Sequence, residues 1–201
     1  MEPRSTNHIF NKLKIHITTG NLTDIVSRRH DITLNKDDYK SLVDENGLLH
    51  DTIVNEFFNL IKERNENQHL ETFYFLNSFV FEILQRNLDG DYLMLTENWI
   101  AEDLTTLKKI FIPLFKSNHW TLIIVKIESR TIELYDSIVS TRQGSSSLGL
   151  KLFKKFFDKY FEERGKAGEF STLIIHDTPV QQNCVDCGVF MTQNAERLLV
   201  E

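Results

Sequence analysis

The sequence predicts an α+β fold in which a central mixed or antiparallel sheet is flanked by helices. Three runs rich in β-branched and aromatic residues, at 109–115, 120–127 and 131–135, follow one another closely and indicate strands. Apolar residues at helical spacing stand on either side of them, near 51–64 and 150–161. Because each such helix carries one apolar face, we expect the helices to pack on the sheet.

The first clear element is a helix from about Asp51 to Arg64, with Asp51 placed to cap its start. Its inward face is formed by apolar residues three and four positions apart: Ile53, Val54, Phe57, Phe58 and Ile61. The aromatic-rich stretch from Leu70 to Leu84 fits either a buried helix or a helix that runs into an extended segment. The pattern alone leaves both alternatives open.

The three predicted strands are expected to be neighbours in one sheet, since only 128–130 separates the last two. After them, glycine and serine at 144–149 indicate a flexible loop. An amphipathic helix follows, and its apolar face is formed by Leu150, Phe153, Phe156, Phe157, Tyr160 and Phe161. A strand at 172–176, ended by Pro179, and a helix at 186–199 complete the predicted elements.

Length and composition limit the class of protein. A chain of 201 residues is long enough for one domain with a hydrophobic core and short for two such domains, so we treat 1–201 as a single domain. The formal charge of -6, with scattered Lys and Arg, disfavours a nucleic-acid partner and suits a protein or peptide. The start lacks the apolar core of a signal peptide and no run is long enough to span a bilayer, so no membrane partner is expected. Two cysteines cannot form a disulfide framework, which favours a reducing compartment, the nucleus or cytoplasm.

Three polar residues at the ends of predicted elements are candidates for nucleophilic catalysis. A thiol attacks an acyl carbon as the thiolate, so it needs a nearby histidine and usually a third group that orients the imidazole. His119 precedes one strand and Asp136 ends the next, and antiparallel neighbours bring such ends together. Cys187 stands where a loop gives way to a helix, whose positive end favours the thiolate. Gly188 is expected to allow a tight turn there.

The segments that carry this chemistry are Asn118–Trp120, Leu134–Ser137 and Gln181–Phe190. In this order and spacing they resemble the ubiquitin-like-protein-specific (sentrin-specific) proteases of the CE clan. The resemblance implies a papain-like cysteine protease fold of the CE-clan type. It also implies that His119 is the base, Asp136 orients it, Cys187 is the nucleophile and the Gln181 side-chain amide helps hold the oxyanion.

The resemblance covers roughly Leu34 to the C-terminus and leaves 1–33 as an N-terminal segment without a clear match. The residues at 48–55 resemble the start of a family helix, with Leu48 where the family has tryptophan. By this resemblance Trp120 and the residue at position 48 flank a narrow tunnel for the modifier's terminal glycines. Asp51 is assigned to the same substrate-binding segment.

The implied function is that of a cysteine-type isopeptidase or endopeptidase that cleaves after the C-terminal Gly-Gly of a ubiquitin-like modifier. A SUMO-like modifier is expected first, and a Nedd-like modifier or ubiquitin are alternatives. A bacterial effector acting in a host cytosol would share the motifs. No cofactor and no metal are implied, and a monomer is expected. A catalytically weak modifier-binding protein is the alternative from another class, because Leu48 replaces tryptophan.

Single residues of these segments also allow other interpretations. Cys184 forms a C-x-x-C pair with Cys187, which elsewhere indicates a redox site or half of a zinc site. A second pair of metal ligands and a thioredoxin-like βαβ pattern are missing, so Cys184 is interpreted as incidental. His176 competes with His119 as base, and Asp177 is an alternative orienting residue. Without its neighbours, Cys187 would be interpreted as a buried core cysteine.

Overall fold

The structure is a computed structural model that describes residues 19–68, 73–86, 100, 102–141, 145–166 and 168–199. In chain order its elements are β1 (Ile25–Arg29), β2 (Ile32–Asn35), α1 (Lys36–Val43), α2 (Asp51–Gln68), β3 (Phe73–Phe75), α3 (Val80–Arg86), β4 (Lys109–Lys116), β5 (His119–Lys126), β6 (Thr131–Tyr135), α4 (Ser145–Glu162), β7 (Ser171–Ile175) and α5 (Cys187–Leu199). Short 3-10 turns lie at Leu104–Thr106 and Val139–Thr141.

Within the described ranges the central sheet consists of five strands, in the order β3-β4-β5-β6-β7. β4, β5 and β6 are antiparallel neighbours, while β3 runs parallel to β4 and β7 runs parallel to β6. β1 and β2 form a separate hairpin. The predicted α+β class with a mixed sheet is confirmed, and the three predicted strands at its centre are neighbours.

Helices cover both faces of the sheet. On one face α3 and α4 pack around residues such as Phe153, and on the other α2 and α5 pack around residues such as Phe58. Side chains along β5 alternate between the two cores, so that Ile123 joins the first and Ile124 the second. β5 is therefore held from both sides, and it starts at His119.

The β1–β2 hairpin, at the N-terminal end of the described chain, packs against α2. His30 and Asp31 form its turn with φ angles of 49° and 60°, the geometry of a tight two-residue hairpin. Nδ1 of His30 lies 3.1 Å from Oε1 of Glu56 on α2, and Leu34 is buried in the second core. The hairpin thus packs on the same body as the sheet.

The predicted loop at 144–149 is wrong from residue 145 onward, because α4 begins at Ser145. Gly144 lies outside the described residues. A Cβ at Gly149 would collide with Cδ1 of Leu114 on β4, so this glycine lets the helix approach the sheet closely. The glycine and serine content predicts a loop here, but Gly149 lies within the helix and allows it to pack on β4.

The aromatic-rich stretch at 70–84 follows neither predicted alternative, since it forms β3 and then α3, and residues 70–72 lie outside the described residues. Parallel pairing with β4 makes the strand, and a local pattern does not show that pairing. α2 extends beyond Arg64 to Gln68, and Asp51 is its first residue instead of the residue before it. The strands at 109–135 and 171–175 and the last helix begin and end within one residue of their predicted bounds.

Candidate active site

The β4–β5 hairpin places His119 at the start of β5. Ser117 and Asn118 form its two-residue turn with φ angles of 52° and 58°, so β5 begins at the next residue. His119 pairs with Lys116 across the hairpin, and its side chain is buried. A short turn between two long strands thus fixes the imidazole at one end of the sheet.

Asp136 follows the last residue of β6, which lies beside β5 in antiparallel register. Its Oδ1 lies 2.7 Å from Nε2 of His119, as the meeting of antiparallel strand ends predicts. Oδ1 also accepts from the backbone N–H of Ile138 at 2.8 Å. Oδ2 accepts from Oγ1 of Thr141 at 2.7 Å, in competition with the Ile138 carbonyl oxygen, which lies 2.8 Å from the same hydroxyl. The carboxylate has no exposed surface. Its orientation is therefore fixed by three donors.

The surroundings of His119 favour its charged form. Burial lowers the pKa of His119, but the hydrogen bond with Asp136 and the interaction with Cys187 outweigh it and raise the pKa from 6.5 to about 9. Nε2 is occupied by Asp136, while the buried Nδ1 makes no hydrogen bond of regular geometry with another described residue, and the Cys187 thiol interacts with the imidazole outside that geometry. Nδ1 is thus the nitrogen that remains for the thiol.

Cys187 is the first residue of α5, and its side chain is buried. The turn before it is held by Asn183, whose Oδ1 accepts from the backbone N–H groups of Val185 and Asp186. The Asn183 amide donates in turn to the Asp186 carboxylate at 2.7 Å. Because Cys187 opens a helix, its sulfur lies at the positive end of the helix dipole, which stabilises a thiolate.

Gly188 does not serve as a turn residue, which corrects the expectation from sequence. It lies inside α5 and its φ angle is not positive. A Cβ at this position would lie 2.9 Å from Cδ1 of Leu49, so glycine leaves the space that the Leu49 side chain fills. The start of α5 is thereby packed against the loop that precedes α2.

Gln181 joins the loop after β6 to the turn before Cys187. Its backbone N–H donates to the carbonyl oxygen of Ser137 at 3.1 Å. Its side-chain Oε1 accepts from Oγ of Ser137 at 2.5 Å, and its Nε2 donates to the carbonyl oxygen of Asn183 at 2.7 Å. Gln181 is buried and anchored at both ends.

Trp120 and Leu48 line one cavity of about 570 Å³, within the size range of ligand-binding clefts. Phe79 and Phe115 add apolar surface to the lining, and Asp51 also lies on it. The indole Nε1 of Trp120 donates to the carbonyl oxygen of Leu49 at 2.9 Å. The three residues assigned from sequence to substrate binding, Trp120, Leu48 and Asp51, thus lie on one cavity.

The competing residues are exposed at the surface. His176 and Asp177 are exposed after the end of β7, and the histidine that meets Asp136 is His119. Cys184 is exposed and both cysteines are free thiols. Within the described ranges, no three His, Cys, Asp or Glu side chains are grouped as metal ligands would be. In the same part of the chain, no helix is long and apolar enough to cross a membrane.

Three contacts of this site were not anticipated from sequence: those of Thr141 with Asp136, of Ser137 with Gln181, and of Leu49 with Trp120. Ser137 stood in the Tyr-Asp-Ser segment without a role. The signal for Thr141 was available in its position five residues after Asp136, where a short turn can fold back on a carboxylate. A thiol beside an imidazole that is held by a buried carboxylate is suited to nucleophilic acyl transfer.

Comparison with curated proteins gives relatives that the chain matches over most of its own length. It is 26% identical over 156 residues to ubiquitin-like-specific protease 1A of Arabidopsis thaliana, which covers 72% of this chain and 30% of that protein. It is 28% identical over 172 residues to ubiquitin-like-specific protease 1 of Saccharomyces cerevisiae, and this match covers 83% of this chain and 25% of that protein. The match to human sentrin-specific protease 2 is 22% identical and covers 88% of this chain and 30% of that protein. The chain thus spans 30% or less of the length of these relatives.

Solved structures and a family model agree with these matches. The C-terminal Ulp1 protease domain in complex with SMT3, the yeast ortholog of SUMO, superposes with a TM-score of 0.73 at 24% identity, covering 100% of this chain and 85% of that one. The Ulp1-like SUMO protease catalytic domain of Chaetomium thermophilum superposes with a TM-score of 0.76 at 21% sequence identity. This match covers 96% of the present chain and 78% of that one. These likenesses show the fold. The model of the C-terminal catalytic domain of the Ulp1 protease family matches residues 48–201, and the chain therefore belongs to the Ulp1 protease family.

Proposed function

We propose that this chain is a cysteine protease that cleaves after the C-terminal Gly-Gly of a ubiquitin-like modifier, either at an isopeptide bond to a lysine or in a precursor. The observation that carries the proposal is the buried pair of His119 and Asp136, with Cys187 at the start of α5 as the interaction partner of the imidazole. Membership of the Ulp1 protease family supports the reaction class.

The first half of the reaction acylates the enzyme. The Cys187 thiolate attacks the carbonyl carbon of the terminal glycine and forms a tetrahedral intermediate with a negative oxygen. The backbone N–H of Cys187 is available as a donor, because the first N–H groups of a helix have no partner within it. The Gln181 amide is the second donor to this oxygen. The intermediate collapses when the imidazolium of His119 gives its proton to the leaving amine and the C–N bond breaks.

The second half of the reaction releases the modifier. A water molecule attacks the thioester carbonyl and loses its proton to His119. The C–S bond breaks and restores the thiolate beside the imidazolium. The modifier leaves with a terminal carboxylic acid, which loses its remaining proton to solvent and becomes a carboxylate. Asp136 stabilises the imidazolium in both halves, which is the role expected of a carboxylate hydrogen-bonded to a catalytic imidazole.

The identity of the substrate is supported by the relatives and by the cavity. The curated relatives carry the names ubiquitin-like-specific and sentrin-specific protease, and one similar structure is a complex with a SUMO ortholog. A tail that ends in glycines suits the cavity beside Trp120, because glycine brings no side chain that the cavity must accommodate. We place a SUMO-like modifier first, ahead of a Nedd-like modifier or ubiquitin. We also propose that the chain acts as a monomer in the nucleus or cytoplasm.

A panel of modifiers with an electrophile at the C-terminus tests the proposal. SUMO, the Nedd-like modifier and ubiquitin, each in this form, are incubated with the parent chain and adducts are measured by mass spectrometry. We expect the fastest adduct with SUMO, none with Cys187→Ala, and a parental rate with the matched control Cys184→Ser. Binding without an adduct would instead support a modifier-binding protein, and no interaction with any modifier would reject the proposed substrate class.

A further inference from the structure

Ser137 contacts Gln181 through both its side chain and its backbone. Its Oγ lies 2.5 Å from Oε1 of Gln181, and its carbonyl oxygen accepts from the Gln181 backbone N–H at 3.1 Å. Ser137 has 3% of its surface exposed and Gln181 has 7%, so water does not compete for this contact. Ser137 also directly follows Asp136, whose carboxylate is already fixed.

The surroundings of Gln181 determine which end of its amide faces which neighbour. The carbonyl oxygen of Asn183, 2.7 Å from the amide, can only accept, so the atom that faces it must be Nε2. Oε1 then faces Ser137, and the serine hydroxyl must be the donor. The amide nitrogen has two hydrogens, and the bond to Asn183 uses one of them. One hydrogen remains for a substrate oxygen.

We propose that Ser137 is a positioning residue for the oxyanion donor. By donating to Oε1, it keeps the free N–H of Gln181 directed at the developing negative charge. This inference rests on the proposed function, since it assigns a role within that reaction. The physical reason is that a donor stabilises a transition state only if its orientation is already fixed when the charge forms.

Without the Ser137 hydroxyl, Oε1 of Gln181 would lose its donor in a buried site. The side chain would then be held only by its bond to Asn183, and it could rotate to satisfy its oxygen elsewhere. Loss of one hydrogen bond of this kind corresponds to about a tenfold lower rate, and loss of the oxyanion donor itself to about a hundredfold or more. Ser137 should act on the rate only through Gln181.

A double-mutant cycle tests this dependence. Ser137→Ala, Gln181→Ala and the double variant are made in a Cys184→Ser background, and kcat and KM are measured on a modifier fusion with a Gly-Gly junction. We expect about a tenfold fall in kcat for Ser137→Ala with KM unchanged, and no further fall when it is added to Gln181→Ala. Ser140→Ala, an exposed serine on the same loop, is the matched control and should keep the parental kcat.

Alkylation of Cys187 by iodoacetamide separates positioning from a structural role. The thiolate displaces iodide directly, so this reaction forms no oxyanion, yet it depends on the same thiolate and imidazolium. Ser137→Ala should therefore be alkylated at the parental rate while its hydrolysis falls. If Ser137→Ala folds poorly, Ser137→Thr and Ser137→Val give a pair of equal shape, of which only threonine should retain kcat.

Three results would overturn the inference while the proposed function stands: parental kcat in Ser137→Ala, an equal fall when Ser137→Ala is combined with Gln181→Ala, or a parallel fall in alkylation. A parent chain that hydrolyses none of the Gly-Gly junctions would reject the proposed function, and the role of Ser137 with it. Hydrolysis of the Gly-Gly junction by the parent chain therefore distinguishes the two failures.

Discussion

The carbonyl oxygen of Leu49 accepts a hydrogen bond of 2.9 Å from the indole of Trp120, which connects the loop before α2 to the start of β5. The side chain of the same leucine fills the space above Gly188, one residue after Cys187. Leu49 is therefore shared by the cavity that we assign to the modifier tail and by the helix start that carries the nucleophile. A displacement of Leu49 should affect both.

Gly188→Ala should lower activity by about a hundredfold, because its Cβ would lie 2.9 Å from Leu49 and a shift of about 1 Å in a reacting group has this effect. Stability should also fall, by about 1–3 kcal/mol from overpacking. Gly165→Ala is the control, because among the described residues, apart from its chain neighbours, no atom lies within 4 Å of the Cβ position, and only the φ of +68° would strain an alanine. The control should lose stability and keep kcat/KM, and equal activity in both variants would contradict the packing argument.

The pH profile of kcat/KM should have an alkaline limb near pH 9. The pKa of His119 is raised to about 9, so the imidazolium that protonates the leaving amine persists below that pH and is lost above it. Asp136→Asn should move this limb toward lower pH, because a neutral amide stabilises the imidazolium less. Turnover should fall on the order of 10²–10⁴-fold. Parental turnover in this variant would show that another residue, Asp177 first, orients His119.

The two cysteines should differ sharply in their effect on cleavage. Cys187→Ala should abolish it, because this thiol is buried at a helix start and interacts with His119. Cys184→Ser should leave most of it, because Cys184 is exposed and carries no assigned role. Cleavage of a Gly-Gly modifier fusion under reducing conditions measures both variants. Equal loss from the two changes would favour the C-x-x-C interpretation.

The central strands and the pairing of His119 with Asp136 follow from local patterns. Continuous apolar runs joined by two short turns leave little choice of neighbour, and the two-residue turn at Ser117 and Asn118 sets the register, so the strand ends that carry both residues meet. The contact of Ser137 with Gln181 joins residues 44 positions apart, and that of Trp120 with Leu49 joins residues 71 apart. Such contacts depend on how separate layers pack, which no local period contains. The packing of Gly149 against Leu114 is likewise a contact between separate layers, so the local composition at 144–149 predicts a loop where the chain forms a helix.

Thr141→Val should lower turnover about tenfold, because it removes the hydroxyl that donates to Oδ2 of Asp136 while keeping the shape of the side chain. Oδ1 keeps its bonds to His119 and to the Ile138 backbone, so the loss should be smaller than that of Asp136→Asn. Thr141→Ser should restore turnover. Parental kcat in Thr141→Val would show that the other two contacts orient the carboxylate without Thr141.

The cavity beside Trp120 should select a slim modifier tail. A Gly-Gly terminus should be cleaved faster than Ala-Ala, because each methyl group must fit between Trp120 and the surrounding wall. Trp120→Ala should reduce kcat/KM on the order of a hundredfold through lost positioning. This tryptophan has only 1% of its surface exposed, so the variant should also lose about 3–5 kcal/mol of stability. Trp120→Phe is therefore the second variant. Phenylalanine keeps an aromatic ring at the cavity wall, has a smaller side-chain volume, and lacks the indole N–H that donates to Leu49.

Leu48→Trp examines a second residue of the same cavity lining. Leu48 is half-buried there, so a larger ring should narrow the cavity, lower KM and leave kcat within about threefold. Steady-state kinetics on Gly-Gly and Ala-Ala fusions measure all four enzymes: the parent, Trp120→Ala, Trp120→Phe and Leu48→Trp. The preference for Gly-Gly should increase in Leu48→Trp and decrease in Trp120→Ala. If Ala-Ala is cut as fast as Gly-Gly by the parent, the cavity does not read a ubiquitin-like terminus, although the assignment of Cys187, His119 and Asp136 would stand.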